Sequence, residues 1–295
     1  MSAVTIVVAS RNRRDQLHET LPRHLTLPER PPVVVVDDAS TDGTAAAVRA
    51  AHPDVRVVRL QRQAGCAARN HGLAHATTPY VALTDDDAWW TPGALRRAAD
   101  LLDRHPRLAL VNARILVGAE RREDPLCAEM ARSPLRPAPG QPGHPLLSFI
   151  ACAVVVRRDA VLAAGGFCER LGIGGEEELL GWDLAAAGWQ MSYVPDVVAH
   201  HCPPPSHGPR RERRERTLRN ALWQPWLRRP PRAAAWRTAR ELRRVPVDAV
   251  GVRAVVRALA GSPWVLRSRR PSPPHVEAMR RLLDEQQLRS ASRAP

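Results

Sequence analysis

The sequence predicts an α/β domain built on a mostly parallel, twisted sheet with helices on both faces, followed by a basic helical extension. Two observations carry this. Short apolar runs suited to strands buried on both sides alternate with segments of helical period along residues 4–199, which is the pattern of strand–helix–strand units. The charge is also divided unevenly. All 44 basic residues are arginine; residues 1–205 hold 22 of them against 23 acids, a net of −1, whereas residues 206–295 hold 22 against 7 acids, a net of +15. A near-neutral domain over residues 1–205 therefore carries an arginine-rich extension over residues 206–295, and the extension is the part suited to an anionic surface.

The elements follow in order. Val4 to Ala9 is a continuous apolar strand, and Leu17, Leu21 and Leu25 then recur at the spacing of one helix face. Val33 to Val36 is a second buried strand, Thr44 to Ala51 a helix, Val55 to Leu60 a third strand, and Ala64 to Ala76 an alanine-rich helix. Tyr80 to Thr84 is the fourth strand, and Pro92 opens a helix that runs to Arg104. Leu108 to Val117 is a strand. Residues 118–145, with six prolines, read as a long surface loop over the site. Leu146 to Val156 returns to strand, Asp159 to Ala164 is a short helix, and Glu176 to Ala187 is a helix stopped by Gly188. Met191 to Val194 and Val197 to Ala199 are short strands. Past the boundary at His201 to Pro205, helices are expected over residues 210–228, 233–245, 247–260 and 275–289, separated by prolines.

At 295 residues the chain accommodates one large or two small domains, and 44% hydrophobic with 25% charged content is enough for a core. Its longest apolar runs, Val33 to Val36 and Ile150 to Val156, fall well short of the ~18 residues that cross a bilayer. The first apolar segment is short and has no basic region ahead of it, so no secretory signal is expected. Five widely spaced cysteines (Cys66, Cys127, Cys152, Cys168, Cys202) without a C-x-x-C pair read as buried thiols of a reducing compartment, the cytoplasm.

Three acidic clusters carry chemistry. Asp37 and Asp38 follow the second strand, at the carboxyl end of a parallel sheet where ligands bind; a capping turn built on Ser40-Thr41-Asp42-Gly43 is the alternative. Asp85, Asp86 and Asp87 follow the fourth strand. Adjacent carboxylates beside apolar flanks repel, and a hard divalent cation relieves them, whereas a solvated acidic loop is the plainer reading. Glu176, Glu177 and Glu178 open a helix behind Gly174-Gly175. They complement the helix dipole or, with a substrate brought close by the glycines, supply a general base.

Four segments in order, VTIVVASRNRRDQL, VVVVDDASTDGT, AGCAARNHGLAHATTPYVALTDDDAWWTPGAL and GGEEELLGWDLAAAGWQMSYVPDVVAHH, resemble the family 2 inverting glycosyltransferases of GT-A fold over residues 3–202. The resemblance implies a nucleoside-diphosphate sugar as donor, Mn²⁺ or Mg²⁺ as cofactor, and transfer of a sugar to an acceptor hydroxyl. It implies that Ala9, Ser10, Asp37 and Asp38 hold the nucleoside and that Arg69 lies near the diphosphate. Asp85, Asp86 and Asp87 form the DxD segment, with Asp85 toward the ribose and Asp87 on the metal. The expected metal set is Asp87, Asp85 and His201, with His200 adjacent. Glu177 falls at the base position, with Glu176 or Glu178 as neighbours able to replace it.

Trp89, Trp90, Trp182 and Trp189 offer a stacking platform for a sugar or, more simply, core packing. In the tail, arginines mixed with Leu222, Trp223, Trp226 and Leu227 suit an anionic membrane, which would place the enzyme peripherally on the inner face beside a lipid-linked acceptor; packing on the body is the other reading. Two further functions are set aside. The alternative of a nucleotidylyltransferase that makes nucleotide sugars is weakened because such enzymes generally use a glycine-rich loop with Arg and Lys near the N-terminus, and the chain has no lysine and no such loop. Nucleic-acid binding lacks a recognisable module despite the arginines.

Overall fold

A computed structural model of the chain describes residues 2–203 and 210–291. The first strand, β1 (Val4–Ser10), leads through α1 (Arg14–Leu25) to β2 (Val33–Asp37), α2 (Thr44–Ala51) and β3 (Arg56–Arg59). A 3-10 turn at Gly65–Ala67 runs into α3 (Ala68–His75), then β4 (Tyr80–Asp85), β5 (Ala88–Trp90) and α4 (Ala94–Arg104). The chain continues with β6 (Leu108–Val117), β7 (Arg122–Glu123), α5 (Pro125–Ala131) and β8 (His144–Pro145). A second 3-10 turn (Ala151–Ala153) precedes β9 (Val154–Arg157), α6 (Arg158–Ala163), α7 (Glu176–Ala186) and β10 (Gln190–His201). The described part of the tail is helical: α8 (Arg210–Arg228), α9 (Pro231–Leu242), α10 (Ala249–Ala260), α11 (Ser262–Arg267) and α12 (Pro274–Ala291).

The strands form one sheet in the order β3-β2-β1-β4-β9-β6-β10-β5, with β7 on β6 and β8 on β10. The half that carries the first two acidic clusters is wholly parallel, from β3 to β4. β9 then inserts antiparallel to both β4 and β6, and β6 runs parallel to β10. All five residues of β2 are buried, because helices cover both faces of this half. Gly72 lets α3 lie directly on that sheet: a methyl group there would overlap Val7 and come within 3.2 Å of Val36 Cγ2.

Three sequence expectations are corrected. Residues 118–145 are not one loop. Asp124 accepts a hydrogen bond from the Leu126 amide (2.9 Å) and Pro125 occupies the first helical position, a capping pattern that starts α5. Residues 146–153 do not join the strand that follows. The buried Asn112 accepts the Ile150 amide (2.6 Å) and donates to the Ala153 carbonyl (3.2 Å), so ladder pairing begins only at Val154. Residues 190–201 form one strand instead of two, with a register break between Val194 and Val198 that absorbs Pro195, which has no amide to donate.

The domain boundary expected at residues 205/206 lies outside the described residues. Of the two readings open for the tail, α8 takes the packing one. Leu222, Trp223 and Leu227 are buried, and the Trp223 indole donates to the Ala258 carbonyl (2.9 Å) and meets Trp264 edge-on. Among the described residues no helix is long and apolar enough to cross a membrane.

Candidate active site

The parallel register sets the site. Ser10 is paired with Asp37 across β1 and β2, and Ala9 with Asp85 across β1 and β4, so these residues share the carboxyl edge of the sheet. Asn12, in the left-handed region at φ 53°, donates its amide to Ser40 Oγ (2.9 Å) and accepts from the Thr41 amide (2.8 Å), tying the loops after β1 and β2 together. Asp37 is buried. Its Oδ1 accepts the Ser40 amide (2.9 Å), and the Arg59 Nε lies 3.7 Å from Oδ2. Asp38 reaches further: its two oxygens accept the amides of Ala64 (2.6 Å) and Gly65 (2.9 Å). Both acids therefore organise loops, and Asp38 fixes the one that leads into Arg69.

Arg69 is the hub. Its Nη2 lies 2.5 Å from Asp85 Oδ1, its side chain is 13% exposed, and its guanidinium sits 5.7 Å from the Phe167 ring. Burial alone would disfavour its charge, yet the fields of Asp85, Glu177 and Glu176 raise its pKa further. The glutamates stand in the first turn of α7, whose N-cap is Gly175 at φ 88°. Glu177 Oε1 accepts the Ala151 amide (3.1 Å). Burial, and then the neighbouring Glu176, push the Glu177 carboxyl up to about 7. Glu176 is buried with Oε2 lacking a hydrogen-bond partner among the described residues, and burial raises it too. Glu178 is distinct: the charges acting on it are Arg237, Arg280, Asp284 and Arg229, all on the tail.

One buried thiol, assigned no role from sequence, also feels these charges. Cys152 is buried, and its thiol is pushed well up by burial and then by Asp85, Glu177 and Asp87, with Arg69 opposing. The charges of those four residues all act on one buried thiol. Its only sequence signal was an apolar segment expected to be strand.

In the acidic segment after β4, Ser10 Oγ donates to Asp86 Oδ2 (2.7 Å), while burial raises the Asp86 carboxyl to about 7 with help from Asp87 and Asp85. Asp87 is buried, and His201 Nε2 lies 3.3 Å from its Oδ1. Burial works against a charged His201, but Asp87 overrides it and raises the imidazole. His200 is turned away and stacks on Trp89 at 5.3 Å, which separates the two histidines by role. Among the described residues no three His, Cys, Asp or Glu side chains converge as a cation cage. Of the expected set of Asp85, Asp87 and His201, the last two lie side by side, and Asp85 is paired with Arg69. One carboxylate with one imidazole still fits Mn²⁺ or Mg²⁺, which commonly take their remaining ligands from phosphate oxygens and water.

The tryptophans do not form a shared platform. Trp90 is buried, Trp182 lies beneath the Arg280 guanidinium at 3.4 Å, and Trp189 sits 5.8 Å from that of Arg157. Instead α8 shapes the approach to the glutamates. Buried Asn220 donates through Nδ2 to the carbonyls of Leu171 (2.9 Å), Ile173 (3.1 Å) and Gly174 (2.7 Å), and Gln224 donates to the Gly175 carbonyl. Arg228 forms a bidentate pair with Asp183 of α7 (2.5 and 2.8 Å).

Residues 5–163 match the family model described as Glycosyl transferase family 2. The pre-mycofactocin glycosyltransferase of Mycobacterium tuberculosis is 33% identical over 213 residues, covering 67% of this chain and 42% of that protein. The chain thus spans less than half the length of that relative. The N-acetylglucosaminyl-diphospho-decaprenol L-rhamnosyltransferase of the same species is 27% identical over 211 residues, covering 59% of this chain and 67% of that protein. Two solved structures share the fold. The mannosyltransferase PcManGT from Pyrobaculum calidifontis, in complex with GDP-Man and Mn²⁺, has a TM-score of 0.57 at 22% identity, covering 99% of this chain and 76% of that one. S. aureus TarS in complex with UDP-GlcNAc has a TM-score of 0.60 at 17% identity, covering 95% and 84%.

The triple donation by Asn220 yields a test. Asn220→Leu keeps the volume but strands three loop carbonyls, at an expected cost of about 1–3 kcal/mol in urea denaturation. An unchanged midpoint would mean that α8 does not hold this loop.

Proposed function

The chain belongs to glycosyltransferase family 2, and on that footing we propose a metal-dependent, inverting transfer of a sugar from a nucleoside-diphosphate sugar to an acceptor hydroxyl. The observation that carries this reading is the placement of Arg69 between Asp85 at the end of β4 and the Glu176–Glu177 pair at the start of α7. One cationic group there faces both a donor's diphosphate and a base.

Glu177 accepts the proton of the acceptor hydroxyl while its other task, orientation, is met by the Ala151 amide. The hydroxyl oxygen bonds to the anomeric carbon from the face opposite the diphosphate, and the departing electron pair stays on the diphosphate. Arg69 stabilises that charge in a half-buried setting where a fixed guanidinium counts for more than in water. Asp87 and His201 would hold the cation, which supplies Lewis-acid neutralisation of the leaving group when bound. Ala9, Ser10, Asp37, Asp38, Asp85 and Asp86 line the nucleoside side, the two buried acids acting largely by fixing its loops. Glu176 is the alternative base; Glu178, turned to the tail arginines, is not.

Supporting the donor class, two proteins of the same fold are described with GDP-Man and with UDP-GlcNAc, the first also with Mn²⁺. The decaprenol in a relative's name favours a lipid-linked, membrane-proximal acceptor. That acceptor suits a chain whose basic tail, residues 206–295, turns part of its surface to an anionic cytoplasmic membrane face while residues 1–205 carry the chemistry.

Glu177→Gln is expected to lower the transfer rate by about 10²–10⁴-fold while nucleotide binding persists; near-normal turnover would reassign the base. In the unsubstituted enzyme the base must be deprotonated, so with its carboxyl raised to about 7 the rate should climb through neutral pH and fall below it. Absence of that acidic limb would contradict the assignment. Asp87→Ala should remove transfer together with the Mn²⁺ dependence of donor binding measured by calorimetry. Donor affinity that still responds to Mn²⁺ in this variant would move the cation elsewhere.

A further inference from the structure

We infer that the outer face of α10 and α11 is a docking surface for an anionic lipid bilayer. This deepens the reading above, on which it rests for a membrane-proximal acceptor, and it moves the contact away from α8, whose tryptophan and leucines are spent on packing.

The inner side of α10 is accounted for. Val250, Gly251, Ala254 and Ala258 are buried, and Trp223 of α8 bonds to the Ala258 carbonyl. The opposite side of a surface helix is ordinarily polar. Here Val252, Val256 and Leu259 recur at i, i+4 and i+7 and are 57%, 58% and 67% exposed. Leu266 of α11 and Val247 ahead of α10 are likewise exposed. Such an apolar row on the outside of a folded chain marks an interface.

Charge selects the occupant. Arg253 and Arg257 stand one position after Val252 and Val256, exposed beside the apolar row, Arg257 also pairing with Glu215 of α8 (2.7 Å), and Arg267 and Arg270 continue the basic edge. They belong to a tail whose net charge is +15. Aliphatic residues flanked by arginine suit the boundary between headgroups and acyl chains, where the side chains bury shallowly and the guanidinium groups meet anionic lipid. A second copy of the chain fits less well. A twofold contact through this face would set the same arginine-bearing patch against itself, opposing like charge with like.

The test uses the full chain and co-sedimentation with vesicles of phosphatidylcholine alone or mixed with phosphatidylglycerol. The chain should sediment with the mixed vesicles and much less with the neutral ones. Raised salt should weaken binding, since the arginine contribution is screened. The triple variant Val252→Ser, Val256→Ser, Leu259→Ser changes only exposed positions. It should lower the partition coefficient on the order of tenfold or more, with an unchanged thermal melt and unchanged nucleoside-diphosphate binding. The inference is overturned if the wild-type chain ignores phosphatidylglycerol vesicles or if the triple variant binds them equally. It is also overturned if light scattering reveals a wild-type dimer that the triple variant dissolves, since the face then joins two copies. Vesicle binding that persists while no nucleoside diphosphate binds would sink the transferase reading and leave this one standing.

Discussion

Asp85, Glu176 and Glu177 act on one another's charge, and removing like charges from water disfavours ionising all of them. Arg69 is the counterweight. Its ion pair with Asp85 and the fields of both glutamates keep it charged despite burial, and it in turn partly restrains the rise in the glutamates' pKa values. The balance is incomplete, and that incompleteness is useful. Glu177 remains raised to about 7, where a carboxylate is both substantially deprotonated at neutral pH and basic enough to accept a proton. A site fully neutralised by arginines would leave a weak base, whereas one without Arg69 would leave a protonated acid.

Keeping such a hub in place takes scaffolding from distant parts of the chain. Asp38 fixes the loop before the 3-10 turn, and Asn70 clamps Phe167 by accepting its amide and donating to its carbonyl, each at 2.8 Å. From the other side α8 secures the carbonyls of residues 171–175, so the segment that delivers the glutamates hangs from the arginine-rich tail. The tail thus divides its labour: α8 completes the site, while the outer face of α10 and α11 remains turned to its surroundings. Within it, Arg229 is buried between Glu277 and Asp284, which ties α8 to α12.

Much of this was legible in the sequence because the parallel half obeys local rules. Four consecutive valines made β2 unmistakable, and the bounds expected for α2 and β6 agree with those observed. The acidic residues were visible because each cluster follows an apolar run or opens a helix. What escaped was set by long-range pairing. Nothing local announces that Asn112 captures the Ile150 amide and so delays β9, or that Asn220 seeks the loop before α7. The pairing of Asp85 with Arg69 was equally hidden, because it depends on α3 lying close against the sheet at Gly72. The tryptophans of α8 resembled a membrane belt because an amphipathic face has the same composition whether it meets lipid or a protein core.

The pH dependence of single-turnover transfer in Arg69→Met, compared with the unsubstituted chain, tests the central electrostatic claim most directly. Loss of the guanidinium should slow transfer and also move the acidic limb to higher pH, because Glu177 would lose the charge that restrains its rise. Slower transfer with the limb in its original place would contradict the account, leaving Arg69 as a diphosphate ligand with no hold over the base.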